Sequence, residues 1–244
     1  MRLLTVTPTL GVIRLEWAMG KFGQAVPCNW SQANVTLGPG YFIPMHYLVD
    51  DAQNLGVKTC VEQNYDWMLL WEDDVIPPID ALLQLNDYMK KGDIPVVSGL
   101  YFTKGTFSEP ILYRGIGTSS FTDFKIGDKV WASAVPTGFL LINRKVLEVM
   151  YKESSYTKMI DGKNIKKVFE TVSKVFYDTK TQSYSAGRGT SDLIWCKRVV
   201  EEKVLQRAGF PKIGRKKYPF LCDTNIFCKH IDLTSGRQFP EEIR

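Results

Sequence analysis

Trp67-Met68-Leu69-Leu70-Trp71 sets the first constraint on this chain. The stretch from Asp66 to Trp71 is a continuous apolar run bounded by polar residues, which is the pattern of a central strand buried on both faces of a sheet. Such a strand needs helices packed on the sheet that holds it. The surrounding sequence supplies them.

Leu3 to Thr7 reads as a first strand, β-branched and apolar, stopped by Pro8. Gln24 to Trp30 reads as a weaker second strand, and the Gly- and Pro-rich stretch Asn34 to Pro44 as a loop. His46 to Gln63 has helical periodicity, with Leu48, Ala52, Leu55 and Thr59 on one face. Pro78 suits the first turn of a helix over Ile79 to Lys91, whose apolar face is Leu82, Leu83, Leu85 and Met89. Ile94 to Ser98 is a further buried strand. Strand, helix, strand, helix, strand in the first hundred residues implies an α/β fold with a parallel sheet.

The second half is mixed. Short strand-like pieces fill Glu109 to Pro136, Gly138 to Ile142 is a buried strand, and Arg144 to Tyr151 a helix. Ser154 to Arg188 is polar and lysine-rich and reads as a mobile insertion, with a helix around Ile165 to Val175. Ser191 to Ala208 is a helix with Leu193, Cys196, Val200, Val204 and Leu205 inward, closed by Gly209. Pro219 to His230 is the last strand region.

The 244 residues are 44% apolar, enough for a sizeable core. A net charge of +5 and a pI near 8.8 suit an anionic ligand such as a nucleotide and are too mild to argue for nucleic acid. Met1 to Thr9 lacks a signal-peptide pattern, and the apolar stretches Trp67 to Trp71 and Phe139 to Ile142 are far short of a bilayer span. A cytoplasmic protein is expected, the host cytoplasm if viral, with peripheral membrane association the variant. Cys28, Cys60, Cys196, Cys222 and Cys228 are odd in number and widely spaced, as reduced thiols are. Cys222, Cys228 and His230 lack the paired spacing of a zinc knuckle. The sequons Asn29-Trp30-Ser31 and Asn34-Val35-Thr36 read as chance matches in a chain without a secretory signal.

Glu72-Asp73-Asp74 follows the buried run directly. At the C-terminal end of a central parallel strand the three carboxylates stand where open α/β sheets bind ligands. Adjacent acids repel one another unless a positive charge lies among them. Mg²⁺ or Mn²⁺ meets that need, because both take carboxylate oxygens and share their coordination with phosphate. Residues 72 and 74 face the same way in an extended chain. A solvated loop, or a favourable charge before the next helix, accounts for many acidic clusters. The position behind a buried strand and ahead of Ile76-Pro77-Pro78 points to a site.

The stretch Asp66 to Val75 resembles the strand and DxD motif of GT-A-fold glycosyltransferases, especially family 2-like proteins. Thr7-Pro8-Thr9 resembles the end of that family's first strand. Ala52-Gln53-Asn54 is similar to the "ARN" helix element of one bacterial, archaeal and phage branch, and Val97 to Phe102 to its "VSGLYF" strand. Thr137 to Ile142 is similar to the strand near the acceptor, Thr190-Ser191-Asp192 to the acidic "ED" at a helix start, and Asp223 to Ile231 to the closing strand with a metal-binding His. Departures are Glu72 for the first Asp, Gln53 for Arg, and Ser191 for the Glu beside Asp192. The second strand ends in Asn29-Trp30 with no Asp for a uracil ring, which leaves the base open.

The resemblance implies a GT-A, Rossmann-like, mostly parallel sheet flanked by helices. Residues 1–104 would form the nucleotide-sugar half, and 105–244 the mixed acceptor and catalytic half. It implies transfer of a hexose from a UDP- or GDP-linked sugar to a hydroxyl. Asp74 and His230 would bind Mn²⁺ or Mg²⁺, and Glu72 the metal or the ribose. Thr7, Pro8, Thr9, Gln53 and Asp73 would lie against the nucleotide sugar, and Asp192 would be the general base. A plain helix cap also fits Thr190, Ser191 and Asp192, and a solvated loop fits the basic run Lys212, Arg215, Lys216 and Lys217. The acceptor is open: a glycan, a lipid-linked sugar or, on the mild basic balance alone, the modified bases of DNA as for a phage-type glycosyltransferase. So are the stereochemistry and oligomeric state. The contrasting function is a GT-A-like module that binds nucleotide or glycan without turnover, favoured by Gln53 and Ser191. The contiguous triplet does not suit a glycosidase, whose carboxylates flank the sugar. No phosphate-loop motif is present.

Overall fold

A computed structural model describes residues 1–26, 41–115, 119–178 and 182–241. Its strands are β1 (Leu3–Val6), β2 (Tyr41–Phe42), β3 (Trp67–Trp71), β4 (Val75–Ile76), β5 (Val96–Leu100), β6 (Lys129–Ala132), β7 (Phe139–Asn143), β8 (Tyr156–Lys158), β9 (Asn164–Lys166), β10 (Val172–Asp178), β11 (Ser183–Gly189), β12 (Phe220–Phe227), β13 (Lys229–Ile231) and β14 (Gln238–Phe239). The helices are α1 (Leu15–Phe22), α2 (Val49–Glu62), α3 (Ala81–Lys91), α4 (Arg144–Glu153), α5 (Ser191–Glu201), α6 (Val204–Arg207) and α7 (Pro211–Gly214).

The α/β architecture is the expected one. A seven-stranded sheet runs in the order β2-β1-β3-β7-β5-β12-β6. Strands β2, β1 and β3 are mutually parallel, and β12 is parallel to β5. β7 is antiparallel to both β3 and β5, and β6 to β12. Five of the seven strands therefore share one direction. Small antiparallel pairings, β8 with β9, β10 with β11, and β14-β13-β4, stand outside the main sheet.

All five residues of β3 are buried. Met68 and Leu70 face one core with Val57 and Cys60 of α2, Val146 of α4 and Trp195 of α5. Trp67, Leu69 and Trp71 face a second core with Trp17 of α1 and Leu82 and Leu85 of α3. An apolar strand with no alternation is thus explained by apolar cover on both sides. At about 1.5–3 kcal/mol per fully buried large side chain, β3 is a main contributor to the stability of the sheet centre.

Several sequence expectations are corrected. The edge strand of the first half is Tyr41–Phe42, inside the stretch read as loop, while residues 24–26 are not strand. The remainder of that expected strand, with Cys28 and both sequons, lies outside the described residues. Helix α1 is absent from the sequence reading because Leu15, Met19 and Phe22 are 72%, 66% and 76% exposed, so its outer face is also apolar and carries no amphipathic signal. On α2, Leu48 is exposed, and the buried face holds Asp51, Gln53 and Asn54 beside Ala52 and Val57. Leu83 of α3 is exposed too. Residues 165–175 form no helix: Ile165 lies in β9 and Val172 begins β10, as their β-branching favours. Val168 and Phe169 between them are fully buried, held by Asn54, whose Oδ1 accepts from both backbone N–H groups and whose Nδ2 donates to the Phe169 carbonyl. The long helix from Ser191 breaks into α5 and α6 at Lys203, which has a φ of 51°, and Val200 faces outward.

Candidate functional site

The C-terminal ends of β1 and β3 lie side by side because the two strands are parallel and in register from Leu3 opposite Trp67 to Val6 opposite Leu70. The segments that leave them form a cleft of about 270 Å³ lined by Pro8, Thr9, Leu10, Tyr47, Val49, Glu72, Asp73, Asp74 and Leu233. The acidic triplet and the residues after the first strand therefore share one crevice.

Glu72 prolongs β3. Its N–H donates to the Gly138 carbonyl at 2.9 Å, and its own carbonyl accepts the Trp17 indole N–H at 2.8 Å. The chain turns at Asp73 and Asp74 and returns as β4, which pairs with β13 so that Val75 stands opposite His230. The Ile231 N–H donates to the Asp74 carbonyl at 2.7 Å. This ladder brings His230 Nε2 to 3.2 Å from Asp74 Oδ2 across 156 residues of chain.

Proton positions at His230 follow from its neighbours. Nδ1 lies 2.7 Å from the Phe102 carbonyl oxygen, which only accepts, so Nδ1 carries a hydrogen. The neutral ring then presents a lone pair from Nε2 to a carboxylate that also only accepts. Two acceptors face each other at 3.2 Å, a repulsion relieved either by a second ring proton or by a cation between them. A ring held by one N–H on a backbone carbonyl, with the other nitrogen left for a metal, is a common arrangement at metal-binding histidines. Tyr101 packs edge-on against the ring, with centroids 5.1 Å apart. Asp74 Oδ1 is buried with no hydrogen-bond partner, while Oδ2 receives the Lys104 ammonium at 2.6 Å. Burial pushes the Asp74 carboxyl up, but hydrogen bonds and charge from His230 and Lys104 outweigh it and hold the group below the usual range. Among the described residues no three His, Cys, Asp or Glu side chains converge as a complete ligand set. Asp74 and His230 could supply two ligands, with one orphaned oxygen beside them, to a cation that would take its remaining ligands from phosphate and water.

Glu72 takes a different part. Its Oε1 accepts from the Thr137 hydroxyl at 3.2 Å, and that hydroxyl accepts from Gln53 Nε2 at 3.2 Å. Burial, then the charges of Asp74 and Asp192, raise its carboxyl to about 8 against the weaker pull of Thr137. Glu72 accordingly holds a proton at neutral pH in the ligand-free protein. Asp73 is buried and hydrogen-bonded by the Thr9 hydroxyl; burial raises its carboxyl more than Thr9 lowers it. Asp192 opens α5, its Oδ1 accepting the Leu193 N–H at 2.8 Å, and the Thr190 side chain makes no cap bond. The Asp192 charge raises both the Glu72 carboxyl and the Tyr101 hydroxyl, which places it near both.

Two expected nucleotide contacts stand behind the cleft. Gln53 is fully buried on α2 and reaches it only through Thr137 and Glu72, and its Oε1 has no partner. The buried Thr7 hydroxyl accepts from the Lys21 ammonium at 2.6 Å. The basic run is elsewhere, with Lys216 lying 3.5 Å from the Trp131 ring centroid. Cys222 and Cys228 are buried free thiols whose burial pushes their titration up.

Lys104 and Lys21 escape the sequence reading. Lys104 is the first basic residue after Val97 to Phe102, a position that would have marked it. Lys21 lies on the unsignalled helix α1, buried among the rings of Trp17, Tyr41 and Trp71 at 4.7–5.2 Å, and burial pulls its ammonium down to about 8.

No family model matches the chain, and no curated protein matches it in sequence. Seventeen chains of solved structures do match in fold. One is the crystal structure of A197 from STIV, with a TM-score of 0.54 and 15% identity over 95% of this chain and 86% of that one. At that identity the likeness is one of fold.

Proposed function

We propose that this chain is a glycosyltransferase that moves a hexose from a nucleoside-diphosphate sugar, UDP- or GDP-linked, to an acceptor hydroxyl. The observation that carries the reading is the pairing of His230 Nε2 with Asp74 beside a buried, unpartnered carboxylate oxygen, at the mouth of the crevice after β3. Mn²⁺ or Mg²⁺ held there would neutralise charge that grows on the departing diphosphate.

The protein's own groups divide the remaining work. Pro8, Thr9 and Asp73 line the cleft where the nucleotide would rest. Glu72 presents a carboxyl, oriented by Thr137 and Gln53, toward the ribose or the metal side. Asp192 takes the proton from the acceptor oxygen as that oxygen bonds to the sugar's anomeric carbon and the bond from that carbon to the diphosphate breaks. Tyr101 fixes the His230 ring from the side and, through its hydroxyl, receives the Gly138 N–H at 2.8 Å.

A second reading, a module that binds nucleotide or glycan without turnover, is favoured by Gln53, a neutral and buried residue that offers no charge to a phosphate. A thermal-shift screen of nucleoside diphosphates with and without Mn²⁺ tests the main reading. A rise in Tm that needs both, and that Asp74→Asn removes, supports it. No shift with any nucleotide sinks it. Transfer lost in Asp192→Asn with nucleotide binding kept would separate the enzyme from the module.

A further inference from the structure

The carboxylate assigned to a divalent cation already holds an ammonium. Lys104 Nζ lies 2.6 Å from Asp74 Oδ2, closer than His230 Nε2 at 3.2 Å on the same oxygen. Lys104 sits two residues past Phe102, whose carbonyl fixes His230. It begins the exposed tip 104–107 of a loop whose base is tied by Thr103 N–H to the Glu109 carbonyl at 2.8 Å and by Glu109 N–H to the Thr103 hydroxyl at 3.0 Å. The backbone is thus anchored beside the site while the side chain, 29% exposed, reaches in from the solvent side. The other Asp74 oxygen is buried and has no partner.

We propose that Lys104 is the resident counter-ion of this site: it neutralises Asp74 in the metal-free protein, yields it to the divalent cation, and then pairs with the diphosphate of the nucleotide. This rests on the metal-dependent reading above. An ammonium and a divalent cation compete for one carboxylate, because each removes the same negative charge. Lysine suits an exchange of partners, being a point charge on a flexible stem with no fixed hydrogen-bonding plane. Diphosphate oxygens would share the coordination of a cation held by Asp74, so the ammonium would have only to turn from one anion to its neighbour. The site also needs that charge. Asp73, Asp74 and Asp192 put negative charge around this site before an anionic donor arrives, and Lys104 is the cation closest to Asp74 among the described residues.

Competition and handover predict opposite effects of one substitution. Mn²⁺ binding to the full chain is titrated by the electron paramagnetic resonance signal of the free ion, for the wild type and Lys104→Met. Without nucleotide the variant binds Mn²⁺ about 3–10-fold tighter, as removal of a competing, partly exposed ion pair allows. At saturating Mn²⁺ the order reverses: UDP or GDP, followed by calorimetry, binds the variant about 10-fold more weakly, having lost a charge-assisted contact. Lys104→Arg keeps most of the nucleotide affinity. Unchanged or weaker Mn²⁺ binding in Lys104→Met overturns the competition, and unchanged nucleotide binding overturns the handover. Absence of Mn²⁺ binding to either protein, with or without nucleotide, would instead overturn the metal reading on which both depend.

Discussion

Replacing Glu72 by Gln removes a titrating proton while leaving a side chain of equal size that still accepts from Thr137. Burial and the charges of Asp74 and Asp192 raise the Glu72 carboxyl from its ordinary 4.5 to about 8. Between those two values the folded chain keeps a proton that the unfolded chain has released. Stability therefore falls as pH rises through that window and levels off above it. The span is about three and a half pH units, worth at most about 5 kcal/mol at 1.36 kcal/mol per unit. Because Glu72 and Asp74 are tightly coupled, about 3 kcal/mol is the expected recovered share. Urea unfolding from pH 5 to pH 9 measures it as the difference between wild type and Glu72→Gln, so groups common to both proteins cancel. The variant should gain stability relative to wild type as pH rises, reaching its full advantage above pH 8. Parallel curves from pH 5 to pH 8 would refute a buried, protonated Glu72.

Lys21 predicts the opposite limb. Its ammonium is pulled to about 8 by burial, so the folded chain releases that proton before the unfolded chain does and stability rises from pH 8 toward 10.5; Lys21→Met should abolish the rise in a urea series extended to about pH 10.5 and stabilise the protein at pH 7 by about 1–3 kcal/mol. Gly138→Ala should cost about 1–3 kcal/mol and weaken Mn²⁺ binding, read from urea midpoints and ion titration, because the added methyl would run into the Tyr101 hydroxyl and Val75 and displace the ring that packs on His230. Asn54→Ala strips three hydrogen bonds from residues 168–169, so a loss of about 2–3 kcal/mol is expected, with amide exchange quickened first at Val168 and Phe169.

What the sequence disclosed and what it hid follow from the range of the interactions. The run Trp67 to Trp71 was readable because burial on both faces leaves a local mark, five apolar side chains in succession, and the triplet was readable because it adjoins that mark. The direction of a strand leaves no such mark. Phe139–Asn143 is apolar whichever way it runs, so β7, antiparallel between β3 and β5, gave no sign of its reversal. The contact of Asp74 with His230 depends on the ladder between β4 and β13, two- and three-residue strands too short for any periodicity to emerge. Only the order of motifs could hint at His230, and nothing could give the 3.2 Å that makes its second nitrogen chemically informative. Helix α1 was hidden for the reverse reason: its solvent face is as apolar as its buried one, which erased the contrast that periodicity reads. Lys21 went unseen with it, although a buried ammonium beside Thr7 bears directly on the end of β1. The local pattern thus located the crevice, while the titratable groups in and behind it, Lys104 and Lys21 with Glu72 and Asp74, meet only through contacts distant in sequence or on an element without a signature.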